Sequence, residues 1–156
     1  MAVPARDDQA AYLSSGTWSL LGTELDGPVV TEKARLAGFT NEGGYQGKIR
    51  LLRNIMGLWM LQCIRRELND RYSFAEMAEL ALQGAAYPYT VNAMDNRFLA
   101  PESMTEEIKA ALREAGKPEP SDLPELLACV NRSLAQCYAD GIRELGALTG
   151  KHYTSL

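Results

Sequence analysis

Ser14-Ser15-Gly16-Thr17 gathers three hydroxyls around a glycine, directly after the apolar pair Tyr12-Leu13. A small-residue turn of this kind offers hydroxyls and closely approachable backbone N–H groups, a combination that suits a phosphate. Asn54 stands ahead of Ile55-Met56-Gly57-Leu58-Trp59-Met60-Leu61, a run that reads as a helix with Asn54 as its cap. Gln62 is a polar residue on that otherwise apolar surface. On one helix, Asn54 and Gln62 would stand about 12 Å apart at a rise of ~1.5 Å per residue. A turn and a helix N-terminus can face one anionic ligand together. The plain reading of the same letters is a hairpin followed by a capped helix, and spacing alone leaves both open.

Other chemistries are poorly supplied. His152 is the sole histidine, so a Ser–His or Cys–His machine has almost nothing to draw on. Cys63, Cys129 and Cys137 lack metal-ligand spacing and fall in helical patterns, where a buried thiol is ordinary packing. The residues therefore point to no catalytic group and no metal site. The net charge of −4, with basic residues scattered and densest at Arg65-Arg66, argues against a nucleic-acid partner. No apolar run approaches the roughly 20 residues that span a bilayer, so no membrane partner is expected. Residues 1–10 carry Arg6, Asp7 and Asp8 and no apolar core, unlike a signal peptide. Cytoplasm is the expected compartment.

The elements that must position these groups read as follows. Residues 1–10 form a lead-in without structure of its own. Residues 12–25 form a hairpin or two short strands punctuated by Gly16 and Gly22. A short helix at 31–37 stops at Gly38, and residues 39–44 and 48–52 make a second hairpin with Gly43-Gly44 and Gly47 near its tip. There Asn41 and Glu42 read as tip residues. The helix at 55–68 is apolar over more than half its circumference and should be covered on two sides. Ser73 and Glu76 make a capping box, with Phe74, Met77, Ala78 and Ala81 as the buried stripe. Residues 85–104 lack periodicity and predict an ordered loop, with Asp95 and Arg97 as a salt bridge or cap. Thr105 caps a helix that stops at Gly116, and a long helix follows over 122–149, where Ala135, Ala139 and Gly141 permit close approach. Residues 151–156 begin a strand. Trp18 and Trp59 read as core, and His152 as surface. A single apolar stripe on so long a helix needs a sheet, yet few strands are supplied and their edges would be unpaired. The fold class is α/β, helix-rich with a small mixed sheet, and the chain reads as a piece of a larger domain. Its alternative is a non-catalytic module that self-associates through exposed apolar surface.

Five blocks, residues 12–21, 39–44, 54–62, 95–104 and 138–156, resemble in order and spacing the second domain of the FGGY carbohydrate kinases. The resemblance implies an actin-like ATPase fold, with this chain as one incomplete ribonuclease H-like domain. It implies transfer of the ATP γ-phosphate to a ketose hydroxyl with Mg²⁺, the 1-hydroxyl of L-rhamnulose being the expected acceptor. Another pentulose or hexulose kinase of the family is the alternative. By position, Thr17 matches a nucleotide-phosphate contact, with Gly16 allowing close approach. Gln62 matches a nucleotide-binding position and Asn54 a sugar-binding one. Beside these stand the plain readings: a turn hydroxyl bonded to its own backbone, a half-buried amide, and a helix cap. The family's catalytic aspartate lies just before the segment resembling residues 1–5, and its glycine-rich adenosine loop just after that resembling 151–156. Neither is in this sequence, nor is the first, sugar-binding domain. The expectation is a chain that alone shows no kinase turnover and weak or absent ATP binding. Cys129 matches a position that pairs with a cysteine in a related enzyme. The partner position, near Leu112, is not cysteine, so no disulfide is expected.

Overall fold

A computed structural model describes residues 9–156. The reading of residues 1–8 lies outside the described residues. The chain divides into two compact units: one runs up to Ile55 and includes Tyr138–Leu156, and the other is Met56–Cys137.

The first unit is built on a four-stranded sheet. Its strands are β1 (Tyr12–Ser14), β2 (Ser19–Leu25), β3 (Thr40–Gly43) and β4 (Ile49–Ile55), in the order β1-β2-β4-β3. All three pairings are antiparallel, so the sheet is not the mixed one expected. A parallel contact does form at its margin, as an isolated bridge between Ala10 and Ser155. There Ala11 N–H donates to Ser155 O at 3.0 Å and Thr154 N–H to Gln9 O at 3.2 Å. Between β2 and β3 lies the short helix α1 (Glu32–Leu36), capped by the Thr31 hydroxyl and followed by Gly38 at φ +73°. β3 and β4 close as the second hairpin, with Gly44 and Gly47 in its turn.

One face of this sheet is apolar and buried. Leu21, Leu51 and Ile55 are fully enclosed and Phe39, Ala34 and Leu145 join them. Leu145 comes from α5 (Leu123–Thr149), whose residues 138–149 belong to this unit. The closest approach is at Gly141, where a Cβ would lie 2.4 Å from Leu21 Cδ2 and 2.8 Å from Arg53 Nη2. Glycine is therefore required there by space. Ala135 and Ala139, read from the sequence as part of the same close face, are exposed.

β4 corrects the largest misreading. Residues 55–68 were expected as one helix capped by Asn54, but Ile49–Ile55 pairs along its whole length with β2. The strand ends at Ile55, and α2 begins only at Trp59, with Leu58 as its cap and no side-chain cap bond. The strand wins because its inward residues Leu51, Arg53 and Ile55 lie under the core while Asn54 points the other way.

The second unit is helical. It holds α2 (Trp59–Glu67), α3 (Phe74–Gln83), α4 (Met104–Glu114) and residues 123–137 of α5. Met60, Ile64, Met77, Phe98, Ile108, Leu112 and Leu127 fill its core. The Ser73–Glu76 capping box is present in both directions. The α3 stripe is narrower than expected: Met77 and Ala81 are buried, whereas Phe74 and Ala78 are exposed. Helix α4 is capped by Ser103, not Thr105, since the Ser103 hydroxyl accepts from Glu106 N–H. The Glu67 carboxylate of α2 also accepts from the Met104 N–H at 2.5 Å and the Thr105 N–H at 3.3 Å. Two hydroxyls two residues apart are near-equivalent in sequence, and this distant carboxylate helps set the start. The long aperiodic loop is tied down by Val91 N–H to Ser133 Oγ at 3.0 Å and Lys117 Nζ to Thr90 O at 3.2 Å. Asp95 caps the 3-10 turn at Asn96–Phe98 and pairs with Arg97, as the sequence predicts.

Candidate functional site

The turn joining β1 to β2 carries Gly16 and Thr17. A Cβ on Gly16 would stand 3.3 Å from the Trp18 carbonyl oxygen, so the turn is tight at that point. Thr17 is exposed and Gly16 half-buried. The strand that leaves the turn is anchored at once, because Ser19, fully buried, places its Oγ 2.8 Å from the Tyr138 hydroxyl of α5.

Asn54 lies at the same end of the sheet. It pairs across the strands with Leu20, and Leu20 pairs on its other side with Ser14. Directly opposed residues share a face, with Cβ atoms about 5 Å apart. Ser14, Leu20 and Asn54 thus form one row next to the turn that holds Gly16 and Thr17. The row is open: Asn54 and Ser14 are exposed. On the opposite face, Arg53 is locked in place. It is 7% exposed, ion-paired to Glu144, donates to Ala37 O at 3.3 Å and stands 5.2 Å from the Phe39 ring centroid. That clamp fixes the strand position that presents Asn54 to solvent.

Gln62 sits elsewhere, on α2 of the second unit. It is half-buried, its N–H donates to Leu58 O at 2.9 Å and its carbonyl accepts from Arg66 Nε at 3.4 Å. The 12 Å helical spacing from Asn54 does not apply, because Asn54 is on a strand.

The group of Ser14, Gly16, Thr17 and Asn54 is all hydroxyl, amide and backbone N–H. It can receive oxygens, but none of these side chains takes up a proton near neutral pH. Nor do Cys129 and Cys63 offer a ready nucleophile: burial pushes the Cys129 thiol up to about 11, and burial also raises Cys63. No disulfide joins Cys63, Cys129 or Cys137. Among the described residues no group of three His, Cys, Asp or Glu could hold a metal ion, and no helix is long and apolar enough to cross a membrane.

Besides Asn54, sequence reasoning misplaced a second residue here. Trp18, expected in the core, is 49% exposed beside Thr17. Its position immediately after a glycine-containing turn is the signal that could have found it. Trp59, half-buried, donates its indole N–H to Phe98 O at 3.1 Å.

Residues 11–156 match the FGGY family of carbohydrate kinases, C-terminal domain. The chain belongs to the FGGY family of carbohydrate kinases. The family's C-terminal domain is of the actin-like ATPase fold, and the α/β architecture seen here agrees with that. Among similar proteins are a rhamnulokinase of Ligilactobacillus salivarius, 43% identical over the whole of this chain, and rhamnulokinases of an Enterobacter species and of Klebsiella pneumoniae, each 44% identical. The chain spans 32% of the length of each of these FGGY relatives.

Proposed function

We propose that this chain is part of the nucleotide-facing, ribonuclease H-like domain of an ATP-dependent sugar kinase. The whole enzyme transfers the γ-phosphate of ATP to the 1-hydroxyl of L-rhamnulose. The observation that carries this reading is the match, from one end of the chain to the other, to proteins named rhamnulokinase at 43–44% identity. The grouping of Gly16, Thr17 and Asn54 at one sheet end supports it, since a phosphate and an acceptor sugar held by these residues would lie close together. Thr17 donates its hydroxyl, and the Gly16 turn its N–H groups, to the nucleotide phosphates. Asn54 binds the sugar, and Gln62 the nucleotide. Such a reaction demands positioning and charge neutralisation more than covalent chemistry. Mg²⁺ enters with ATP and is held mainly by phosphate oxygens and water, so it asks little of this chain.

A full-length graft tests the reading: this chain replaces the matched third of the Ligilactobacillus salivarius relative, and ADP release is followed with L-rhamnulose. Turnover is expected, and Thr17→Val should lower kcat/KM about ten- to a hundredfold, the loss of a hydrogen bond to a charged group. A folded graft that releases no ADP with L-rhamnulose refutes the reading. A preference for another ketose moves it elsewhere in the family. A second reading, a self-associating module, draws on Val30 and Leu36, which are 84% and 72% exposed. A monomer in sedimentation velocity argues against it.

A further inference from the structure

Trp18 is an exposed aromatic residue beside the candidate site. Large aromatic side chains usually bury their area, and a buried or half-buried indole N–H usually finds an acceptor. Trp59 does so through Phe98 O. Trp18 is half exposed, and its indole has no hydrogen-bond or ring partner among the described residues. Its surroundings are specific. It follows Thr17 in the turn, precedes the anchored Ser19, and stands two residues before Leu20, whose strand neighbours are Ser14 and Asn54. A half-exposed aromatic ring thus shares one sheet end with three hydroxyls, at Ser14, Ser15 and Thr17, and one amide.

That mixture matches what a sugar presents. A ketose has hydroxyls, which need donors and acceptors, and patches of C–H, which are apolar and carry a weak positive edge. An aromatic face is electron-rich and flat, and covers such a patch well. A nucleotide phosphate uses only the hydroxyls and N–H groups and has no call on an indole.

We propose that Trp18 is a contact for the acceptor sugar, its ring covering an apolar C–H patch of the ketose and its N–H free to donate to a hydroxyl. A 6-deoxy sugar such as L-rhamnulose suits this ring best, since its methyl end enlarges the apolar patch. The inference rests on the kinase reading above and adds a specificity residue to it.

The test uses the full-length graft with Trp18 intact, Trp18→Phe, Trp18→Leu and Trp18→Ala, each checked by thermal melting. KM for L-rhamnulose and KM for ATP are measured separately. Trp18→Ala should raise the sugar KM about tenfold with the ATP KM unchanged, since an aromatic contact of ordinary strength is worth about that factor. Trp18→Phe should recover most of the loss and Trp18→Leu little of it. Should Trp18→Ala fail to fold, the contrast between Trp18→Phe and Trp18→Leu reads out the same contact. An unchanged sugar KM overturns the proposal, and so does a rise confined to the ATP KM, which would make Trp18 a nucleotide contact. If the intact graft shows no L-rhamnulose-dependent ADP release, the kinase reading fails first and the acceptor contact with it.

Discussion

At Gly141, a single hydrogen keeps α5 and the sheet apart. The groups an added methyl would strike, Leu21 and Arg53, are 0% and 7% exposed and have no free space to retreat into. Alanine normally gains about 1 kcal/mol over glycine inside a helix, and overpacking a core costs about 1–3 kcal/mol. The second effect wins where the added methyl would stand 2.4 Å from Leu21: Gly141→Ala should lower stability by up to about 2 kcal/mol, read as a fall in the urea midpoint. A stabilised variant would mean that the helix can lift off the strands. Cys129 makes a second prediction at this scale. It is buried, and its thiol is pushed up to about 11, so almost no thiolate exists at pH 8. Iodoacetamide followed by mass spectrometry should modify Cys63 and Cys137 first, both half-buried, and Cys129 only on unfolding.

Helix caps set the acid behaviour of the elements. The Ser73 N–H, and then its hydroxyl, hold Glu76 below the usual carboxylate range, and Ser121 does the same for Glu125. A lowered carboxylate binds fewer protons folded than unfolded. Its contribution is therefore complete above the ordinary glutamate value, about 4.3, and is lost as pH falls through the lower folded one. Glu76→Gln should therefore lower the melting temperature at pH 7, where that contribution is complete, and flatten its fall below about pH 4, where the two proteins converge. Such caps were readable because they are local: Ser73 and Glu76 are three residues apart. The long-helix stripe was readable for the same reason, since Leu127, Val130 and Leu134 recur at helical steps and all are buried. β4 was readable only in part: 48–52 was legible as the return strand of the second hairpin, but the strand's continuation to Ile55 was not. Arg53-Asn54-Ile55 leads straight into an apolar run, where periodicity cannot place the boundary between strand and helix, and Arg53 is buried against Glu144, which reaches it from 91 residues away. The same gap hid the arrangement of the candidate residues. Gly16 and Thr17 were legible as a turn, but Asn54 comes to the same sheet end through its pairing with Leu20 of β2, which no local pattern records.

On the scale of the whole molecule, the hydroxyls and amide of the candidate site include no base, and the named relatives are about three times as long as this chain. The 156-residue chain alone should therefore release no ADP above background with ATP and L-rhamnulose in a coupled assay. Turnover by the chain alone would require a proton acceptor outside the group formed by Ser14, Thr17 and Asn54. A different kind of dependence is built into the helical unit. The first turn of α4 donates hydrogen bonds to Glu67, a carboxylate 37 residues earlier in the chain. A cap borrowed over that distance cannot assist nucleation, because the helix that carries the accepting carboxylate must already be docked before it counts. The start of α4 should consequently consolidate late in folding, and damage to Glu67 should shorten the lifetime of the native state more than it delays its birth.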